Sequence, residues 1–468
     1  MSSVHSLFDK IWNRHVVAQR DDGETLLYVD RNFVHEGPFY AFDGLRRDGR
    51  GVHRPLKQIA IADHYLPTLN RARGMDAVSN PEARQMIERL TANTREFGIP
   101  VIGMGNPRQG IMHVVGPELG LIQPGMVITA ADSHATTNGA FGTFSFGIGA
   151  SEIKHVLATQ TLWQRKPRML RVTVNGEIPG GVTAKDIILV IIAKLSISGG
   201  SGYVVEYAGS TIRGMTMEQR MTICNMSIEL GARSGIVAPD EKTYAYLKGR
   251  EFAPIGDAWS KALDVWHTLP SDPGATYDRE VEISAEGVAP MVTWGTVSDD
   301  ALPITESVPY PIDASTEDQR VHIKHALEYM GLKAGQPLVE IRIDRVFIGS
   351  CSNARLDDLR AAAAVVKGRR AVVPSVISPG STDVKRRAEA EGLNEIFLSA
   401  GFEWRDSGCS MCVGANGDIV QPGERCASTS PRNFENRQGR GARTHLVSPP
   451  MAAAAAVTGK LTDVRTLA

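Results

Sequence analysis

An α/β protein with largely parallel sheets is predicted, on three observations. Short β-branched runs alternate with helical stretches along the chain, the rhythm of strands joined by crossover helices. No fixed-period repeat interrupts it, and the only biased tract is a short alanine run at 452–456. At 468 residues the chain is too long for one hydrophobic core, so two to four domains are expected.

The elements follow in order. An apolar run leads into "IADHYLPT", which places Asp63 and His64 just after it; another leads into "VITAADSHATTNGAFG", with Asp132, Ser133 and His134 at its end. "LRVTVNG" (170–176) alternates as a strand does, and "AKDIILVIIAKL" (184–195) has the broad apolar face of a helix. "GGSGYVVEYAG" sets Glu206 in an otherwise apolar strand. "LVEIRIDRVFIGS" (338–350) is strand-like and ends in a glycine turn. "ARLDDLRAAAAVVKG" (354–368) is helical and closes on Gly368; "AVVPSVIS" (371–378) is the next strand and "DVKRRAEAEGL" (383–393) the next helix. The alanine run reads as a buried helix of small residues. Breaks near "RKPR" at 165–168 and in the Pro- and Asp-rich stretch 297–315 divide the chain into α/β domains at 1–169, 170–314 and 315–468.

Composition narrows the function classes. Lys and Arg number 51 against 52 Asp and Glu, a net charge of -1 that leaves no electrostatic footprint for nucleic acid or an anionic membrane. The N-terminal segment lacks the apolar core of a signal peptide. The longest apolar stretches, "IILVIIA" and "MAAAAAV", fall far short of the ~20 residues of a membrane span. A cytoplasmic location is the expectation. Five cysteines, an odd number, argue against a disulfide framework there.

Cys351 follows a strand and precedes a helix, where ligands bind in open α/β sheets and where a helix N-terminus favours a thiolate. A free cysteine is also often just a small buried residue. Cys409 and Cys412 form C-x-x-C, whose turn brings two sulfurs to one side. Alone, the pair is ambiguous. Zinc wants four ligands and no second pair is obvious; a redox dithiol normally opens a helix early in its fold. Three thiolates suit an iron–sulfur cube with one iron left open, which can act as a Lewis acid. Asp63 and His64 make an acid/base pair, His113 lies in "GIMHVVGPE", and Arg432 and Arg437 are spaced to aim two guanidiniums at carboxylates. Each also has a plain structural reading, as a hydrogen-bonded strand end or a solvated loop.

Together these stretches resemble the aconitase superfamily, specifically the large subunit of 3-isopropylmalate dehydratases. The likeness runs from "KIWNRHVV" and "LLYVDRNFVHE" through "DSH", "FGIGASEIKHVLATQTL" and "RMTICNMSIELGAR". It continues through "IGSCSN" and "GCSMCVGANGDIVQPGERCAST" to "RNFENRQGRGARTHLVSPPMAAAAAVTG". The resemblance implies three α/β domains around a cluster-binding cleft and one 4Fe–4S cluster per subunit. Cys351, Cys409 and Cys412 would hold it, with one iron not held by cysteine; Cys224 and Cys426 would be structural. It implies that Asp63 and His64 deliver a proton to the leaving hydroxyl. Asp132, His134 and Glu206, supported by His113, would bond the iron-bound water, and Ser133, Arg432 and Arg437 would grip substrate carboxylates. The swivelling fourth domain appears nowhere in the sequence, so a small subunit is expected to supply the serine base.

Several positions depart from the pattern of isopropylmalate dehydratases. Tyr40 falls where a substrate-contacting glutamine is expected, Tyr65 where asparagine is usual, and Asn138 and Tyr203 where histidines are. "VSD" at 297–299 replaces an Asn-Pro-Gly turn, and Pro431 stands for an asparagine near the cluster. These changes are expected around the substrate pocket. They raise a second reading, a paralogue acting on another malate-like diacid such as dimethylmalate, citramalate or maleate. Readings of a different class are an RNA-binding apo-protein, against which the charge balance speaks, and a zinc protein using the three cysteines plus a histidine.

Overall fold

Three sheets of four or five strands organise the chain in the computed structural model, which describes residues 4–467. The first orders Val101–Ile102, Gln58–Ile61, Arg31–Val34, Val127–Ala130 and Phe144–Gly147, every pair parallel. The second orders Ser234–Val237, Tyr203–Ala208, Arg168–Asn175 and Arg279–Ser284, the first three parallel. The third orders Glu403–Trp404, Ser375–Ile377, Arg345–Ile348, Arg425–Ser428 and Arg443–Leu446, all parallel. The mixed α/β architecture read from the alternating pattern is the observed one. Smaller antiparallel sheets pair Val16–Gln19, Glu24–Tyr28 and Thr161–Arg165, and Met291–Thr293 with Ala301–Pro303.

The chain forms two compact units, not contiguous in sequence. One gathers the chain up to Leu66, Gly74–Gly176 and Gly200–Ile283; the other gathers Pro67–Arg73, Glu177–Gly199 and the chain from Ser284 onward. The first two large sheets belong to the former and the third to the latter.

Helix Ala184–Leu195 shows how local chemistry sets an element. Thr183 caps it, accepting the Lys185 N–H at 3.2 Å, while Asp186 Oδ2 takes the Thr183 N–H at 2.7 Å. The other Asp186 oxygen accepts the N–H of Met291 at 2.7 Å and ties the helix to the strand Met291–Thr293. Nine of its twelve residues are buried, so its apolar content goes into the core of its unit. Helix Pro449–Thr458 is the alanine run; Pro449–Ala456 are all buried, and small side chains let it lie close on helix Leu356–Val366.

One element differs from its sequence reading. The strand-like run 338–350 is a strand only over Arg345–Ile348; Leu338–Glu340 is a 3-10 turn after Pro337, and Arg342 makes one isolated bridge to Lys460. Alternating apolar residues there are buried by a loop, not a ladder. Among the described residues, no helix is long and apolar enough to cross a membrane.

Candidate active site

In the first unit the neighbouring strands Arg31–Val34, Gln58–Ile61 and Val127–Ala130 run parallel and end on one edge, where ligands of open sheets gather. The first runs into His35 and Glu36, the second into Asp63 and His64, the third into Asp132, Ser133 and His134. Asp63 Oδ1 lies 2.5 Å from His64 Nδ1; its Oδ2 accepts the Met112 N–H at 2.8 Å, at the start of the helix that carries His113. Asp132 is the N-cap of the 3-10 helix Ser133–Phe141, and its Oδ1 accepts the His134 N–H at 2.7 Å. The same oxygen lies 2.9 Å from His113 Nε2, and Oδ2 lies 3.4 Å from His64 Nε2. His134 Nε2 reaches Glu229 Oε1 at 3.0 Å. Gly147 makes room for this turn: a Cβ there would stand 2.7 Å from both the Asp132 carbonyl oxygen and the Ser133 Cα.

Charge follows from geometry. Burial alone would depress the His64 pKa, but the Asp63 charge and the hydrogen bonds that His64 donates to Asp132 and Asp63 raise it well above its ordinary value. His64 is therefore an imidazolium between two carboxylates, Nδ1 bonded to Asp63 and Nε2 3.4 Å from Asp132. Burial would raise Asp132, yet hydrogen bonds from His113, His134 and His64 hold it well below the usual carboxylate range. Asp63 is lowered too: the His64 charge and hydrogen bond outweigh burial. The donor atoms of His35, Glu36, Asp63 and His64 lie within 4.8 Å of one another, a spacing that could hold a cation. Both nitrogens of each histidine already have hydrogen-bond or ion-pair partners, so the group reads as an acid/base cluster.

In the second unit, Cys351 follows strand Arg345–Ile348, while Cys409 and Cys412 follow Glu403–Trp404 on a turn closed by the Cys412 N–H on the Cys409 carbonyl at 2.9 Å. All three cysteines are buried and none is in a disulfide. Beside them Ser350 (φ +80°) and Ser410 (φ +47°) adopt the left-handed region, which costs a side-chain-bearing residue about 1–2 kcal/mol. Local bonds hold them there. Ser350 Oγ lies 2.9 Å from Ser352 Oγ, and both hydroxyls donate to the Thr429 carbonyl, at 3.3 and 2.9 Å. Ser410 Oγ donates to Asp418 at 2.8 Å, and Asp418 also takes Thr68 at 2.5 Å, Asn416 at 2.8 Å and Arg405 at 2.9 Å.

Beyond strand Arg425–Ser428 lie Arg432 and Arg437, both half-buried. Arg437 Nε is buried without a hydrogen-bond partner, a donor that a carboxylate would satisfy. Gln438 joins this segment to the cysteine turn, donating to the Met411 carbonyl at 3.0 Å. Fully buried Lys185 donates to the Thr429 and Ser430 carbonyls at 3.2 and 2.8 Å.

A family model, the aconitase family (aconitate hydratase), matches residues 9–459. The chain belongs to the aconitase family. Among solved structures, it is similar to the crystal structure of Thermococcus kodakaraensis aconitase X in its holo-form. There the identity is 13%, 87% of this chain and 84% of that chain are covered, and the TM-score is 0.45.

For an aconitase-family chain the implied cofactor is an iron–sulfur cluster, and the residues present fit it. Three cysteines outside any disulfide sit on loops beyond one edge of a parallel sheet, each loop pinned by a left-handed serine. The remaining two cysteines are different: burial pushes the Cys426 thiol up to about 12 and Cys224 higher still, so both stay protonated core residues.

Glu206 is not brought to the acid/base cluster expected of it. Its two oxygens accept from Ser271 Oγ at 2.8 Å and Tyr277 OH at 3.0 Å, on the second sheet. The carboxylate on His134 is Glu229, from the 3-10 turn Met226–Leu230, which the sequence reading missed. The one signal was a glutamate between Ile228 and Leu230. The departures also scatter. Tyr40 is 69% exposed and Asn138 is buried against Ser145, whereas the Tyr65 N–H touches Glu36 beside His64.

Proposed function

We propose that this chain is the cluster-bearing large subunit of a hydro-lyase that dehydrates and rehydrates a 2-hydroxy dicarboxylic acid, moving its hydroxyl to the neighbouring carbon. The substrate we favour is 3-isopropylmalate, converted to 2-isopropylmalate through 2-isopropylmaleate in leucine biosynthesis. The observation that carries the reading is His64, an imidazolium held between Asp63 and Asp132 at a strand edge.

A 4Fe–4S cluster on Cys351, Cys409 and Cys412 would supply Lewis acidity toward the substrate hydroxyl through the iron that no cysteine holds. Arg437, with its unpartnered Nε, and Arg432 would bind carboxylates, and Ser133 would fix one of them. His64 would then give its proton to the leaving hydroxyl, leaving neutral imidazole stabilised by the Asp63 hydrogen bond. Asp132 orients His64 and His113 at once. His134 and Glu229 form the second acid/base pair, and Glu229 takes the place first given to Glu206. Abstraction of the carbon-bound proton would fall to a serine on a small partner subunit.

A second reading is a paralogue for another malate-like diacid. It draws on Tyr65, a bulky ring where the dehydratase pattern has a compact amide, one residue from His64 and bonded through its N–H to Glu36.

The test is iron and sulfide content with a visible spectrum on anaerobically purified protein, then turnover across diacids with the small subunit present. About four irons per chain, lost in Cys351→Ala, and a preference for isopropylmalate bear the reading out. A preference for a smaller diacid moves it to the paralogue. Colourless protein after reconstitution, zinc in metal analysis or a salt-dependent RNA shift overturns it.

A further inference from the structure

The reaction above leaves His35 and Glu36, at the end of the central strand, without a part. The Glu36 side chain is wholly buried. Its Oε1 takes the Tyr65 N–H at 3.4 Å; its Oε2 has no hydrogen-bond partner. His35 Nδ1 stands 3.8 Å from Oε2, but that nitrogen accepts the Gly37 N–H at 3.0 Å. His35 Nε2 donates to the Ala131 carbonyl at 3.2 Å, so the ring is a neutral tautomer with no proton to offer Glu36. The same ring stacks on His64, centroids 4.3 Å apart and planes 22° from parallel. An ionised Glu36 would thus be a buried charge with a bare oxygen, within 4.8 Å of Asp63.

We propose that Glu36 is a positioning residue for His64: it rests as a protonated carboxyl, and its ionisation makes the His64 imidazolium a weaker proton donor. The groups facing it are His35, Asp63, His64 and Tyr65, with Asp132 beyond His64. In the resting state Asp63 and Asp132 carry a negative charge each, His64 a positive one, and Glu36 and His35 none. When the Glu36 proton leaves to solvent, a further negative charge arises within 4.8 Å of the imidazolium and holds its proton more tightly. Burial first, then the Asp63 charge, push the Glu36 pKa up to about 7, against the pull of His64. Burial and the His64 charge lower His35 to about 4, which keeps that ring neutral throughout. The consequence for turnover rests on the hydro-lyase reading; the titration itself does not.

The experiment follows the His64 ring nitrogens by NMR across neutral pH in the histidine-labelled full chain, assigned with His64→Asn. His64 is expected to stay protonated while its shifts step once near pH 7; Glu36→Gln removes the step and Glu36→Asp keeps one. A flat titration in the wild type, or a step that survives Glu36→Gln, overturns the proposal. Should Glu36→Gln not fold, the infrared band of a protonated buried carboxyl in the wild type decides. Its loss across neutral pH supports the proposal and its absence overturns it. In the cluster-loaded enzyme with its small subunit, Glu36→Gln is expected to move the alkaline limb of kcat up by about one pH unit with KM unchanged. An NMR step with no turnover of any diacid would sink the hydro-lyase reading and leave the assignment of Glu36 standing.

Discussion

His64 keeps its proton because Asp63, itself locked to the Met112 N–H, cannot turn away from it. Replacing His64 with Asn, or Asp63 with Asn, is expected to lower kcat roughly 10²–10⁴-fold with the cluster spectrum intact, measured on reconstituted enzyme. Glu229 and Glu206 offer a sharper contrast. Glu229→Gln should cut turnover, since it removes the carboxylate from His134, whereas Glu206→Gln should leave turnover near wild type. Equal losses in both would return Glu206 to the chemistry. Asp63, His64, Asp132 and His134 were legible in the sequence because each follows an apolar run and a strand end is where such residues act. Glu229 was not legible, because it lies on a 3-10 turn after helix Met217–Asn225. The break in helical phase turns inward a side chain that periodicity would place anywhere. Tyr40 lies exposed on helix Phe39–Arg47, a placement that its alignment with a pocket residue did not give.

The loops that carry the thiols depend on a few anchors. Asp418 gathers Ser410, Thr68, Asn416 and Arg405, so Asp418→Ala leaves several donors without their acceptor. The expected result is a local cost of about 1–3 kcal/mol and faster loss of iron, followed as bleaching of the visible spectrum under chelator. A variant that holds iron as the wild type does would show the turn to be self-supporting. Gly147→Ala tests the matching point in the other unit: its methyl collides with the Asp132–Ser133 backbone. Helices 184–195 and 354–368 were legible almost to the residue from apolar periodicity and caps. The run 338–350 misled because its alternation matches a strand while Pro337 and the turn after it remove the ladder partners. That C-x-x-C would share a cluster with Cys351 is implied by family resemblance; spacing alone left zinc, a dithiol and a cluster open.

For the molecule as a whole, acid stability should follow the buried neutral histidines. His445 donates from Nδ1 to the Thr293 carbonyl at 2.6 Å and faces the Arg425 guanidinium at 3.1 Å. Burial, then the Arg425 charge, lower its pKa to about 3. A depressed pKa contributes stability that is present above the ordinary value near 6.5 and is lost as pH falls through about 3. His445→Gln should therefore flatten the decline of the urea midpoint over that window; an unchanged slope would assign the acid limb elsewhere. The division of the chain into units was the least legible feature, because contacts between distant segments set it. Residues 67–73 and 177–199 pack with the chain beyond 284 although they are made with the other unit. During synthesis the ribosome therefore releases an oily helix, 184–195, whose partners do not yet exist. At about 5–20 residues per second, roughly 15 to 55 seconds pass before the last of them emerges. A nascent chain in that interval exposes apolar surface, and slowing translation is expected to lower the yield of soluble protein.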